Sequence, residues 1–203
     1  MSVPRKSSRL PWFKGEQLPL YLAPMAGFTD RVFRELCKEQ GADVMVTEFV
    51  MANKFLDPRG EKDAWEIVDF TPQQRPMGVQ IFGGDPGKMA EAAHRIVDRL
   101  KPDFLDINYG CPAPKVVNNQ AGSSLLRNPC LLQEIAAEVV RRVTGAVPVT
   151  AKIRIGWDAD SINAVDISRR LEDAGVEAIA VHGRTKQQGY SGDADWEVIH
   201  SVA

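Results

Sequence analysis

The segment 104–115 reads Phe-Leu-Asp-Ile-Asn-Tyr-Gly-Cys-Pro-Ala-Pro-Lys and gathers residue types suited to chemistry. Phe104, Leu105 and Ile107 form an apolar run between Pro102 and Gly110, the pattern of a short buried strand. Gly110 permits backbone angles closed to other residues, and Pro112 fixes the next φ. Cys111 is thereby held on a stiff turn at a strand's end, beside the amide of Asn108. Parallel-sheet proteins place their chemistry at that end of the strand. The plain alternative for Cys111 is a small buried apolar residue, the usual state of a free cysteine.

Other reactive side chains follow other apolar runs. Lys152 lies within Thr150-Ala151-Lys152-Ile153-Arg154, on a strand, where an inward charge needs an anionic neighbour. It is suited to stabilise negative charge on a cofactor ring, or to pair with Asp106 or Glu48 inside the fold. His182 ends a strand before Gly183 and suits a phosphate, a ring carbonyl or a simple structural hydrogen bond. His94 and His200 read as structural or solvent-facing, and Cys37 and Cys130 as inert. Nothing resembles a metal cluster, a Walker loop or a nucleophile elbow.

Positioning these residues requires strands and helices in alternation. Apolar runs predict strands over 20–23, 44–46, 78–82, the 104 segment, 147–155 and 178–181. Helices are expected after Thr29 as cap, with Val32, Phe33 and Leu36 on one face and Gly41 closing. Others are expected around 62–67, from Asp85-Pro86 to Leu100, over 129–143, over 161–174 before Gly175, and after Asp195 as cap. The strands read as uniformly apolar, hence covered on both faces, which means parallel β/α units. Polar residues follow nearly every strand: Met25, Glu48, Gln80, Asn108 with Cys111, Lys152 with Arg154, and His182 with Arg184. An open doubly wound sheet gathers its site at one switch point, whereas a ring of contributions belongs to a (β/α)₈ TIM-type barrel. Eight units take about 250 residues, so the 203 residues here predict a barrel truncated after six units.

Composition is that of a globular protein: 44% hydrophobic, 26% charged, net charge −2. A protein basic all over is excluded, while a local basic patch is not. Three cysteines without a CxxC pair argue against a disulfide framework and a structural zinc site, and predict a reducing cytoplasm. Residues 1–19 carry Arg5, Lys6, Arg9 and Lys14 with no apolar core segment, so they are read as a basic arm anchored by Trp12 and Phe13 rather than a signal peptide or membrane span. Residues 20–203 are read as the partial barrel.

Five blocks then resemble a known family, in order and spacing. They are Ala23-Pro24-Met25-Ala26-Gly27-Phe28-Thr29-Asp30, Val79-Gln80-Ile81-Phe82-Gly83, Asp106-Ile107-Asn108-Tyr109-Gly110-Cys111-Pro112, Ala151-Lys152-Ile153-Arg154 and Val181-His182-Gly183-Arg184-Thr185. Together they resemble the tRNA-dihydrouridine synthases, closest in look to the bacterial type active near the D-loop. The resemblance implies an FMN enzyme that reduces the C5=C6 bond of a uridine in tRNA, with NADPH (or NADH) as reductant. It implies that Pro24, Met25 and Ala26 lie along the flavin, that Gln80 and Lys152 bond its ring edge, and that His182 completes the cradle. Hydride goes to C6 and Cys111 protonates C5; a thiol of pKa about 8.5 keeps its proton at neutral pH. Asn108 and Arg154 are then expected on the uracil edge, Tyr190 against the base, and Lys115, Arg184 and Lys186 on the RNA backbone. The last barrel strands and the family's helical RNA-binding domain are expected to be absent, and the full-length form is expected to be a monomer without membrane association. The alternatives are a dihydroorotate-dehydrogenase-like or ene-reductase-like flavin barrel acting on a free small molecule, and a noncatalytic RNA-binding fragment.

Overall fold

The computed structural model describes Leu10 and residues 18–203; Arg5, Lys6, Arg9, Trp12, Phe13 and Lys14 of the basic arm lie outside the described residues. The strands are β1 (Tyr21–Leu22), β2 (Val44–Val46), β3 (Val50–Met51), β4 (Met77–Phe82), β5 (Phe104–Tyr109), β6 (Val149–Arg154) and β7 (Ala178–His182). They form one sheet in the order β1-β2-β4-β5-β6-β7, with β3 also on β4, and every pair is parallel. Neighbours in sequence are neighbours in space throughout, so the sheet has no switch point and winds in one direction, as a barrel does. The intervening helices are α1 (Arg31–Glu39), α2 (Glu61–Ile67), α3 (Pro86–Leu100), α4 (Pro114–Val117), α5 (Pro129–Val143), α6 (Ala164–Asp173) and α7 (Trp196–Val202). The architecture is a parallel α/β part-barrel of the TIM type.

The inner strands β4, β5 and β6 are buried on both faces, whereas the edge strands β1 and β7 are only partly covered, and the inner strands are not uniformly apolar. On β4, β5 and β6 the odd-numbered Val79, Ile81, Leu105, Ile107, Tyr109, Val149, Ala151 and Ile153 face the helices and join one large core with Ile96 of α3 and Leu132, Ile135 and Val139 of α5. The alternate residues Gln80, Asp106, Asn108, Thr150 and Arg154 face inward and are buried as well. Side chains alternate with period two, so each strand presents one apolar and one polar face, and both are enclosed. The polar face is sustained by mutual hydrogen bonds, without which its burial would be prohibitive.

An unpredicted strand, β3, comes from a one-residue bulge. Val46 pairs with Gly78 and Val50 with Ile81, so one chain advances four residues while its partner advances three. Within the bulge the Thr47 amide donates to the Gly78 carbonyl at 2.9 Å, and Thr47 Oγ1 accepts from the Gln80 amide at 3.2 Å in place of a ladder carbonyl.

Helix ends follow their caps. Asp85 accepts from the Lys88 amide with Pro86 at the first position, and Asp195 accepts from the Val198 amide. For α1 the cap is Asp30, which accepts from the Phe33 amide, rather than Thr29, whose hydroxyl is used by the preceding turn. Val32, Phe33 and Leu36 of α1 are exposed at 65%, 41% and 55%, and the residue that this helix buries is Arg34.

The inner floor is closed by Leu10, Val44, Val46 and Phe104. Gly78 is paired in register with Phe104, and a Cβ there would lie 2.3 Å from the Phe104 ring. Gly78→Ala is therefore expected to destabilise by about 1–3 kcal/mol, as overpacking does, lowering Tm by roughly 2–4 °C per kcal/mol for a chain of this size. Calorimetry of Gly78→Ala and of the double variant with Phe104→Leu checks this, the second recovering most of the loss.

Candidate active site

A cavity of about 750 Å³ opens at the C-terminal ends of the strands. Pro24, Met25, Ala26, Phe28, Phe49, Pro112 and Ala113 form an apolar wall, and Asn108, Cys111, Lys152, Arg154, His182 and Tyr190 line the polar side.

The apolar wall is a built turn. Thr29 Oγ1 accepts from the Met25 amide at 2.9 Å, the Met25 carbonyl accepts from the Phe28 and Thr29 amides, and Gly27 takes φ +80°. The Gly27 amide donates to the Glu48 carboxylate, and the buried Arg34 donates to the Thr29 carbonyl at 2.6 Å. Glu48 thus anchors this turn rather than pairing with Lys152.

Cys111 is fixed from both sides. Its amide and that of Gly110 donate to Asn108 Oδ1 at 2.8 and 3.0 Å. Its carbonyl accepts from the Ser123 amide at 3.1 Å and the Ser123 hydroxyl at 2.9 Å. Gly122 has φ +59° and lies so close that a Cβ would come within 2.9 Å of the Cys111 carbonyl oxygen. Burial pushes the Cys111 thiol above its ordinary value, against smaller opposing effects from the Ala113 amide and the Arg154 charge. The thiol therefore keeps its proton at neutral pH.

Three basic residues share the polar wall. Lys152 lies beside Asn108 in register, and among the described residues no carboxylate comes within 4.0 Å of its ammonium. Burial lowers its pKa, with Asp106 acting in the opposite sense and Arg154 in the same sense. Arg154 donates from Nε to the Gly110 carbonyl at 2.9 Å and from Nη1 to the carbonyls of Thr185 and Gly189, both at 2.9 Å. It clamps the loop that carries Tyr190 against the cysteine turn, with its guanidinium carbon 5.8 Å from the Tyr190 ring centre. His182, next to Arg154 in register, is driven down to about 4 by burial and then by the charges of Arg154, Lys152 and Arg184. Its imidazole is neutral near pH 7.

Most residues singled out from the sequence meet here, but not Gln80, Lys115 or Arg184. Gln80 lies one layer below, fully buried, with Oε1 accepting from Asn108 at 2.8 Å and Nε2 donating to Asp106 at 2.5 Å. Lys115 is exposed on α4. Arg184 points to the Gly192 carbonyl and lies 3.4 Å from His182 Nε2. Sequence reasoning gave no role to Phe28, although it stands in the first block, and missed Phe49 and Ser123, which carry no motif of their own, and Asp106 as the centre of a polar network.

A slot with one apolar face and one face of cations and neutral donors fits a planar, electron-rich ring with acceptors along its edge. The unpaired ammonium of Lys152 fits an anionic or electron-accepting group.

The family model for dihydrouridine synthase (Dus) matches residues 21–203. The chain belongs to the dihydrouridine synthase family. It is 48% identical to tRNA-dihydrouridine synthase B of Pseudomonas aeruginosa over 183 residues, covering 90% of this chain and 54% of that protein. It is 45% identical to tRNA-dihydrouridine synthase B of Xanthomonas campestris pv. campestris over 183 residues, covering 89% and 53%. With a probable tRNA-dihydrouridine synthase of Aquifex aeolicus it shares 41% identity over 187 residues, covering 92% and 57%. The chain thus spans about half the length of these curated relatives. Among the described residues no helix is long and apolar enough to cross a membrane.

The electrostatics of this site are directly measurable. In an NMR titration of the three imidazoles, His182 is expected to change shift near pH 4. An unfolded histidine titrates near 6.5. Between these values the unfolded chain binds more protons, so stability falls as pH drops from about 6.5 toward about 4. His182→Asn is expected to flatten that slope in urea denaturation, and an unchanged slope would place the loss elsewhere.

Proposed function

We propose that the protein is an FMN-dependent tRNA-dihydrouridine synthase, a cytoplasmic enzyme that reduces the C5=C6 bond of a uridine in tRNA with NADPH (or NADH) as reductant. The observation that carries this reading is the buried thiol of Cys111, built into a fully hydrogen-bonded turn and lining a slot with one apolar and one cationic wall. FMN, when bound, supplies the hydride. Pro24, Met25 and Ala26 would lie along its ring, and Lys152 and His182 would hold its polar edge. The fully enclosed Gln80 would support that wall from beneath through Asn108.

Cys111 holds the proton at Sγ and delivers it to C5 as negative charge develops there, acting as general acid. A carboxylic acid of ordinary pKa would already be ionised at neutral pH, whereas burial keeps this thiol neutral. Asn108 and Arg154 border the place of the uracil edge, and Tyr190 offers an exposed ring for stacking. The cavity lies at the mouth of the part-barrel, so a uridine would have to leave its stack to reach Cys111. Lys115, Arg184 and Lys186 would meet the RNA phosphates outside.

The test is turnover of unmodified tRNA by the 203-residue chain supplied with FMN and NADPH. Cys111→Ala is expected to retain flavin through gel filtration while losing about 10²–10⁴-fold in rate, the usual share of a general acid. The parent rate should hold up past the ordinary thiol value of about 8.5 and fall only above it, as the buried thiol ionises. Lys152→Met is expected to weaken flavin retention. Full turnover by Cys111→Ala, or reduction of free pyrimidines in place of tRNA, would overturn the assignment.

A further inference from the structure

A single chain of hydrogen bonds runs from the middle of the sheet to the backbone amides of the turn that carries the thiol. Asp106 accepts at both oxygens, from the Thr150 hydroxyl at 2.5 Å and from Gln80 Nε2 at 2.5 Å. Gln80 Oε1 accepts from Asn108 Nδ2 at 2.8 Å. Asn108 Oδ1 is thereby left to accept from the amides of Gly110 and Cys111. Gln80, Asp106 and Thr150 are direct register partners, and Asp106, Asn108 and Gln80 are all buried.

The direction of this chain has a cause. An amide side chain has one donor end and one acceptor end, while a carboxylate only accepts. With Asp106 at one end, Gln80 must turn Nε2 toward it and Oε1 toward Asn108. Asn108 must then turn Nδ2 toward Gln80 and Oδ1 toward the cysteine turn. If Gln80 were reversed, the Asn108 amino group would face two backbone N–H groups, donor against donor, and the turn would lose its acceptor. Shape alone does not choose between the two orientations, because the amide N and O are nearly equal in size.

We propose that Asp106 is a positioning residue for Cys111: its carboxylate sets the direction of Gln80 and Asn108, and so holds the turn that presents the thiol. Its consequence for catalysis rests on Cys111 being the proton donor, but the relay itself does not. A carboxylate four strand positions before the turn's Gly110 thus acts on it through two side chains, although it does not line the cavity.

The test uses Asp106→Asn, Asn108→Asp and the double variant, read by hydrogen-exchange protection of the Gly110 and Cys111 amides. Asp106→Asn leaves Gln80 free to take either direction. Asn108→Asp puts carboxylates at both ends of Gln80, only one of which can receive Nε2. In the double variant the charge has moved to position 108. There the new carboxylate receives Gln80 Nε2 and still accepts from the turn, while Gln80 Oε1 receives the new amide at position 106. The Thr150 hydroxyl still donates. The relay is reversed but complete.

Each single change is expected to lower protection about fivefold or more, as loss of a buried hydrogen bond does. The double variant should return to within about twofold of the parent, well outside additive behaviour. A single variant that fails to fold beside a folded, protected double variant is the same rescue. Losses that multiply in the double variant, a double variant that does not fold, or unchanged protection in Asp106→Asn would each overturn the proposal and reduce Asp106 to a packing residue. Protection is measured without FMN or tRNA, so failure of the relay is distinguishable from failure of the uridine-reduction reading.

Discussion

The register of the parallel ladder is the constraint on which the rest depends. Gln80, Asp106 and Thr150 stand in one row across three strands, Asn108 and Lys152 in the next, and Arg154 and His182 in the one nearest the mouth. Because side chains alternate, a slip of one residue would send this whole set into the helices and bring Ile107, Ala151 and Ile153 inside. The large apolar core between the sheet and α3, α5 and α6 forbids that slip. Hydrophobic burial on the outer face therefore fixes polar geometry on the inner face. The two faces have separate tasks, and one register serves both.

The inner face also sorts charge by depth. Asp106 lies below the cations, fully buried, where burial raises its pKa and its two hydrogen bonds and Lys152 oppose that rise. Lys152 and Arg154 lie above it, and the neutral His182 lies at the rim among positive charges. The cavity is thus electropositive although the whole chain carries −2. Such a site favours an electron-rich ligand and disfavours extra protons on its imidazole. The thiol beside it stays neutral because desolvation outweighs the pull of Arg154. One environment gathers cations and keeps the neighbouring thiol neutral.

Much of this was legible in the residues themselves. The α3 and α5 boundaries follow from Asp85-Pro86 and Pro129, and the turn at Cys111 from Gly110 and Pro112. What periodicity could not reveal was the partner. Strands flanked by helices read as apolar because the outer face dominates the pattern, so the polar inner row of Asp106 and Thr150 was overlooked as structure. The apolar stripe of α1 names a face that seeks burial but not what covers it, and in this structure Val32 and Leu36 are exposed. β3 was invisible because a bulge is a matter of counting residues between two strands, and one strand alone carries no count. Gln80 reads from sequence as a ligand contact; in the structure it is buried with one hydrogen bond at each end of its amide, to Asp106 and to Asn108, a placement that only three-dimensional neighbours decide.

Exposure is distributed unevenly around the mouth, with Cys111 buried and Tyr190 open to solvent. The Cys111 turn has its amide, the preceding amide and its carbonyl all satisfied by buried side chains or backbone, and Gly122 packs against it without room for a Cβ. The loop bearing Tyr190 is held by Arg154, by Arg184 on the Gly192 carbonyl and by its own backbone, with Gly189 at φ +58° and Gly192 at φ +68°, but the Tyr190 residue itself is 81% exposed. Arg154 touches both, donating to Gly110 on one side and to Thr185 and Gly189 on the other. A proton donor must hold its place against the reacting carbon, because transfer demands hydrogen-bond reach. An aromatic ring that meets a base need only offer a face, and stacking tolerates adjustment. The fold thus sets a buried, fully hydrogen-bonded cysteine turn opposite an exposed aromatic ring, with one guanidinium bridging the two.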